Sequence, residues 1–324
     1  MTTIGSNKIP VLVIGYNRPD FLSRTLEAIW KSKPSNIYIV IDGPKLGNAI
    51  DKKQVYKCQK IAKEFISKYK LNSKTHFRKE NVGSAVNVLT GIMWFFNHEE
   101  FGAIIEDDCI IDSTFLDYLS DHRSLLNQHK IKIISGFRPN IDLKPNECLT
   151  LTHSPLTWGW ATDHSSWNDL WTNVLLLNNQ KKIFKRGIKL HIFNFWKIGF
   201  RRSMEGKNDS WDILLAFSML FNDCLTLVPS KNLISNIGTD NRSTNTFNQD
   251  GLINIKTFAY TKLKPNLDLA LKFISYNDKK IFNKLNSIKY YHLISPYAKN
   301  FINYFGGDDN YPDLLTRINR NKIW

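Results

Sequence analysis

"IPVLVIGYNRPDFLSRTLEAIWKS", residues 9–32, is the stretch whose reading decides the fold. Residues 9–15 are apolar almost without interruption, the pattern of a strand buried on both faces. From Pro19 the apolar residues recur at helical spacing. Proline suits the first turn, where its missing N–H would have no helical partner. A strand, a short polar turn and a helix make half of a parallel-sheet unit. The rhythm continues with "NIYIVID" (36–42) as a second strand and "DKKQVYKCQKIAKEFISKYK" (51–70) as a second helix. "KTHFR" (74–78) predicts a weaker strand, "VGSAVNVLTGIMWFFNH" (82–98) a helix and "AIIE" (103–106) a strand. "DSTFLDYLSDHRSLLNQH" (112–129) predicts a helix capped by Asp112 or Ser113, and "IKIISG" (131–136) another strand. The expected class is α/β, a mostly parallel, Rossmann-like central sheet with helices on both faces.

After residue 136 the rhythm changes. "LTWGWATDHSSWNDLW" (156–171) concentrates tryptophan, "SWDILLAFSMLFND" (210–223) predicts a helix capped by Ser210, and "CLTLVPSKNLISNIG" (224–238) one or two strands. From about 247 the chain becomes rich in Asn and Lys with short apolar pieces. The expected division is a catalytic domain over 1–247 and a C-terminal extension over 248–324, with helical segments.

The 324 residues are 42% hydrophobic, enough for a large core, and 13% aromatic, too many for a disordered chain. Cys58, Cys109, Cys148 and Cys224 are widely spaced and form no C-x-x-C pair. That argues against a disulfide framework and a zinc site, and for a reducing cytoplasm. No apolar run suits a signal peptide or a membrane span, so the sequons at Asn208 and Asn241 carry no weight. Net charge is +15, and residues 181–207 hold nine Lys and Arg against the single acid Glu205. That basic stretch, interleaved with Phe and Trp, suits an anionic membrane surface or a phosphorylated ligand, or it is a solvated helical face. No nucleic-acid-reading motif accompanies it, so no nucleic-acid partner is expected.

Open parallel sheets bind ligands outside the carboxyl ends of their strands. Here those ends carry Asn17 and Arg18, then Asp42, then Asn81 and Gly83, then Glu106, Asp107 and Asp108. Each has an ordinary alternative: a surface arginine, two plain turns, a solvated acidic loop. Together they suggest a nucleotide site. Three adjacent carboxylates repel one another and lose hydration when partly buried, which a hard cation such as Mg²⁺ or Mn²⁺ would relieve. Neither a P-loop nor a G-x-G-x-x-G fingerprint is present.

"VLVIGYNRPDFLSRTLEAI", "VIDGP", "ENVGSAVNVLTGIMWFF", "AIIEDDCIIDSTFLDYL", "WGWATDHSSW", "SWDILL" and "SNIGTDNRSTNT" follow one another in an order that resembles the inverting glycosyltransferases of the GT-A fold. The N-acetylglucosaminyltransferase I family is the nearest in pattern, beside bacterial family 2-like enzymes that build surface polysaccharides such as lipopolysaccharide and capsule. The resemblance spans roughly residues 9–246. It implies that Arg18 and Asp42 line the nucleotide and that Glu106 and Asp107 hold the ribose and donor sugar. It further implies Asp108 as direct metal ligand, Trp211 as a wall of the sugar and acceptor site, and Asp212 as catalytic base. Without the resemblance, the better reading of Asp212 is a routine first-turn acid facing a helix dipole. Bacterial relatives often carry histidine where this chain has Asn245, and the eukaryotic membrane anchor has no counterpart here.

The implied function is transfer of a sugar from a UDP-sugar to a glycan or lipid-linked glycan, aided by Mn²⁺ or Mg²⁺. It would occur in the cytoplasm, with residues 181–207 in peripheral contact with the inner membrane. The alternative is a catalytically inactive sugar-nucleotide-binding module of a polysaccharide assembly complex.

Overall fold

The computed structural model describes residues 9–71, 73–146, 148–180, 190–238, 254–263, 265–288 and 313–321. Asn245 and residues 181–189, with the readings placed on them, lie outside that set.

The strands are β1 (Val11–Gly15), β2 (Ile37–Ile41), β3 (Lys74–Phe77), β4 (Phe101–Glu106), β5 (Cys109–Ile111), β6 (Ile131–Ser135), β7 (Thr150–Thr152), β8 (Trp160–Asp163), β9 (Leu225–Val228) and β10 (Ile234–Asn236). Eight of them form one sheet in the order β3-β2-β1-β4-β8-β6-β9-β7, and β5 pairs with β10 in a small second sheet. In the large sheet β3, β2, β1, β4, β6 and β9 run one way, while β8 and β7 run against them. The sheet is thus mostly parallel with antiparallel insertions, an α/β architecture.

Alternate residues of β1 explain its unbroken apolarity. Val11 and Val13 join the core on one face, under α1 (Pro19–Lys31) and α2 (Ala49–Tyr69). Leu12 and Ile14 join the core on the other, under α3 (Ser84–Phe96), α5 (His164–Asn178), α6 (Leu190–Met204) and α7 (Asp212–Asn222). Each fully buried Leu, Ile or Val contributes about 1.5–3 kcal/mol over its exposed state, so polar residues are driven out of both faces. They reappear only where the strands end.

Three expectations change. The helix anticipated over 112–129 is α4 (Phe115–His122) followed by two 3-10 turns, Arg123–Leu125 and Gln128–Lys130. Asp112 turns its carboxylate onto the N–H and hydroxyl of Thr114 and caps no helix end, and the chain extends at Leu126 after the first of these turns. Helix α7 begins at Asp212, with Trp211 at the cap position and no side chain capping it, so Ser210 does not play that part. The aromatic residues of the basic stretch are largely core: Phe193, Phe195 and Phe200 on α6 are buried.

The described residues after 247 pack back onto the sheet and its helices. Helices α8 (Leu267–Leu271) and α9 (Ile274–Ile288) lie on the α1/α2 face, where Ala270 is buried and Leu267, Leu271 and Ile274 pack beside it. Helix α10 (Leu314–Arg320) inserts Leu314 and Ile318 into the opposite core. Among the described residues no helix is long and apolar enough to cross a membrane.

Candidate functional site at the strand ends

Parallel pairing brings the expected residues to one rim. Ile14 lies beside Glu106 and Gly15 beside Ile41, so the loops after β1, β2 and β4 begin at one level. The Asp107 N–H donates to the Ile14 carbonyl at 2.9 Å, and the Asp42 N–H to Gly15 at 3.0 Å.

Arg18, at the start of α1, is the centre of this rim. Its guanidinium pairs with Asp107 and, at 2.9 Å, with Asp108. Burial opposes its charge, and the two carboxylates more than offset that. Asp107 is an anchor as much as a ligand: it also accepts from the Tyr16 N–H, and its carbonyl accepts from the Thr25 hydroxyl. Asp108 accepts weakly from Asn236 at 3.4 Å, because the β5–β10 pairing sets Asn236 opposite Cys109. Gly238 closes this side: a methyl group there would come within 2.1 Å of an Asp108 carboxylate oxygen.

Asp212 joins the cluster from the far end of the chain. The residue is exposed, yet desolvation by the surrounding protein raises its proton affinity, opposed by the N–H groups of Asp212 and Ile213 at the start of α7. Glu106 shares that environment. Burial raises its carboxyl well above the usual range, assisted by Asp108, Asp107 and Asp212 and opposed by Arg18. Asp212 thus adds to the negative field at Glu106. Trp211 turns inward instead. Its ring is 4% exposed and stacks on Trp160 at 6.0 Å, so it fixes the root of α7 from inside the core.

The remaining rim residues organise loops. Both Asp42 oxygens are engaged, one by the N–H groups of Gly43 and Val82, the other by the Gly83 N–H and the Asn81 amide. Burial still pushes its carboxyl up to about 6. The Asn17 amide donates to Asp51 at 2.6 Å. Asp51 also accepts from the Tyr16 hydroxyl and the Lys45 N–H, which makes it a hub of the site. It is not among the residues that the sequence singles out, and nothing in the local sequence sets it apart.

Gly83 takes φ +85°, and a Cβ there would collide with Arg317 and Asp209. Those two residues brace the loop from outside. Asp209 accepts from the N–H groups of Ser84 and Ala85, capping α3 in a contact of a kind worth about 1 kcal/mol. Arg317 of α10 donates to the Val82 carbonyl at 2.6 Å and lies 3.5 Å from Asp209. Arg78, beneath, donates to the Asn321 carbonyl. Contacts that span more than a hundred residues of sequence leave no local signal.

Three carboxylates, Glu106, Asp107 and Asp108, thus surround a single guanidinium, and Asp212 adds its charge at Glu106. The surplus negative charge and the hard oxygen donors fit a divalent cation such as Mg²⁺ or Mn²⁺. Among the described residues no group of three or more His, Cys, Asp and Glu is arranged to hold a metal ion. Such an ion would therefore draw ligands from a bound anion as well as from the protein.

No protein-family model matches the chain, and no curated protein does. Solved structures that match the chain include the 4-diphosphocytidyl-2C-methyl-D-erythritol synthase of Anaerococcus prevotii, 14% identical at a TM-score of 0.32 over 59% of this chain and 83% of that one. HddC from Yersinia pseudotuberculosis is 13% identical at a TM-score of 0.32, over 50% of this chain and 79% of that one.

Proposed function

We propose that the protein is an inverting glycosyltransferase that moves a sugar from a UDP-sugar to a glycan or lipid-linked glycan, in the synthesis of a bacterial surface polysaccharide at the cytoplasmic side of the membrane. The observation that carries the reading is the position of Asp212. It is an exposed residue of raised proton affinity whose charge acts on Glu106 of the acidic triplet, and it pairs with no cation among the described residues.

Arg18 orients the diphosphate, and the loop organised by Asp42, Asn81 and Gly83 forms the wall against the nucleoside. Glu106 and Asp107 face the ribose and the sugar. Asp212 takes the proton of the acceptor hydroxyl as its oxygen bonds to the anomeric carbon. The bond from that carbon to the diphosphate oxygen breaks on the opposite side, UDP leaves with the electron pair, and the configuration inverts. A carboxylate whose proton affinity is raised by burial is better matched to this work than an ordinary one. Asp108, with Glu106 beside it, would hold Mn²⁺ or Mg²⁺, which supplies positive charge against the departing diphosphate.

Asp212→Asn tests the assignment. Asn keeps the size of the side chain and accepts no proton, so transfer should fall on the order of a hundred- to ten-thousand-fold. UDP affinity and melting temperature should stay near those of the wild type. Near-native turnover would move the base elsewhere. A wild-type protein that binds UDP-sugars and transfers none would favour the inactive binding module.

A further inference from the structure

Leu46, Ile50 and Tyr56 are 103%, 77% and 52% exposed, three of the six large hydrophobic side chains left on the surface among the described residues. All three come from one segment, the loop after β2 and the first two turns of α2. Scattered surface hydrophobes are normal and need no explanation, but a cluster does. Lys45, Lys52, Lys53 and Lys57 are exposed among them. The only acid between residues 43 and 60 is Asp51, which is 5% exposed and turned inward onto Tyr16, Asn17 and the Lys45 N–H. Within this segment no exposed acid balances the four lysines; Glu80, against Gly43 at the base of the loop, and Asp20 on α1 are the nearest acids from other elements.

The loop projects from a fixed base. The Pro44 carbonyl accepts from the Asn81 N–H at 3.3 Å, and the Asn48 side chain caps α2 at the Asp51 N–H. Between these anchors the chain turns at Gly47, φ +74°, where a Cβ would meet nothing within 4 Å. Leu46 therefore stands at the tip of a protruding turn. On α2, Ile50, Lys53 and Lys57 fall at i, i+3 and i+7 and share a face, opposite the buried Val55, Cys58 and Ala62.

A pair of aliphatic side chains at a projecting tip, one tyrosine and a ring of unbalanced lysines is the composition of a bilayer-surface contact. Leu and Ile cannot stack on bases, which sets this face apart from a nucleic-acid platform. We propose that this face docks the protein on an anionic lipid bilayer, with Leu46 and Ile50 entering the headgroup region and the lysines meeting lipid anions. Asp51 ties the docking face to Tyr16 and Asn17, so the membrane would lie beside the candidate site. On α6, by comparison, Phe193, Phe195 and Phe200 are spent in the core, and Ile198 is the one exposed large hydrophobe among its described residues.

The test is cosedimentation of the full chain with phosphatidylcholine vesicles, plain or with roughly one third phosphatidylglycerol, each Lys near such a surface being worth about fivefold in partitioning. Binding should require the anionic lipid and weaken with salt. The combined variant Lys45→Glu, Lys52→Glu, Lys53→Glu, Lys57→Glu should lose at least about a hundredfold. Leu46→Ser with Ile50→Ser should lose severalfold at unchanged melting temperature, since both side chains are already in water. No binding to anionic vesicles would overturn the proposal. So would equal binding to neutral ones, or anionic binding that neither variant reduces. Binding to single-stranded RNA, lost in the lysine variant and unaccompanied by vesicle binding, would overturn it in favour of a nucleic-acid face.

Discussion

Removing Arg18 should expose how much of the site is held together by one cation. The side chains involved are nearly dry: Arg18 is 16% exposed, Asp107 3% and Asp108 9%. Deleting one partner of a buried ion pair leaves its counter-charge without compensation, at a cost of about 3–5 kcal/mol. Loss of the guanidinium above the Phe21 ring, 5.4 Å from its centre, adds about 0.5–1 kcal/mol. Arg18→Ala should therefore lose about 4 kcal/mol at neutral pH. The loss should depend on pH. Burial already raises the Asp107 carboxyl, and Arg18 opposes that rise. Without Arg18 the folded variant holds a proton that the unfolded chain has released, so its stability falls as pH rises. The deficit should be smallest near pH 5 and largest near pH 8, with a slope fixed by the protons bound in each state. Urea unfolding followed by tryptophan fluorescence at both pH values measures it. Mn²⁺ or Mg²⁺ should raise the melting temperature of the variant more than that of the wild type, as a substitute charge among the carboxylates. A deficit below about 1 kcal/mol, or one equal at both pH values, would refute the reasoning, because exposed ion pairs behave in that way.

Other perturbations probe the rest of the rim. With its carboxyl pushed up to about 6, Asp42 costs the folded state stability as pH rises from about 4 to 6, by roughly 3 kcal/mol in all. Asp42→Asn should flatten that part of the stability-against-pH curve, and parallel curves for the two proteins would contradict it. Gly238→Ala places a methyl 2.1 Å from Asp108, so the carboxylate must turn away from Arg18. Overpacking of this kind costs about 1–3 kcal/mol, and stabilisation by Mn²⁺ in thermal melts should vanish with it. Arg317→Leu should loosen the loop at Val82, seen as faster amide exchange at Ser84 and Ala85, with about 1–2 kcal/mol lost locally. Exchange unchanged there would show that Asp209 braces the loop unaided.

The first half of the fold could be read directly because β1, β2 and β4 are continuously apolar and end abruptly in polar residues. Burial on two faces writes itself into local composition, and a strand end follows from where that composition stops. The same logic placed Arg18, Asp42 and the acidic triplet on one rim. It failed where the determining partner lies far along the chain. β5, β7 and β10 are three residues long, and pairing across the sheet, not sequence periodicity, makes them strands. Asp209 is an α3 cap only because the chain returns after more than a hundred residues, and Trp211 is core only because Trp160 lies against it. Helix α4 ends at His122, where the chain tightens into a 3-10 turn and then extends at Leu126, a change that composition does not announce.

The brace from Arg317 to Val82 also bears on how the protein is made. The two residues are 235 positions apart. At synthesis rates of about 5–20 residues per second, the loop beneath the candidate site waits roughly ten to fifty seconds on the ribosome before its last support emerges. Strands β1 to β4 can pair during that interval, while the acidic pocket at their ends stays unbraced. A nascent chain would therefore own a folded sheet well before it owned a finished site, and factors that shield newly made chains would meet it in that half-built form.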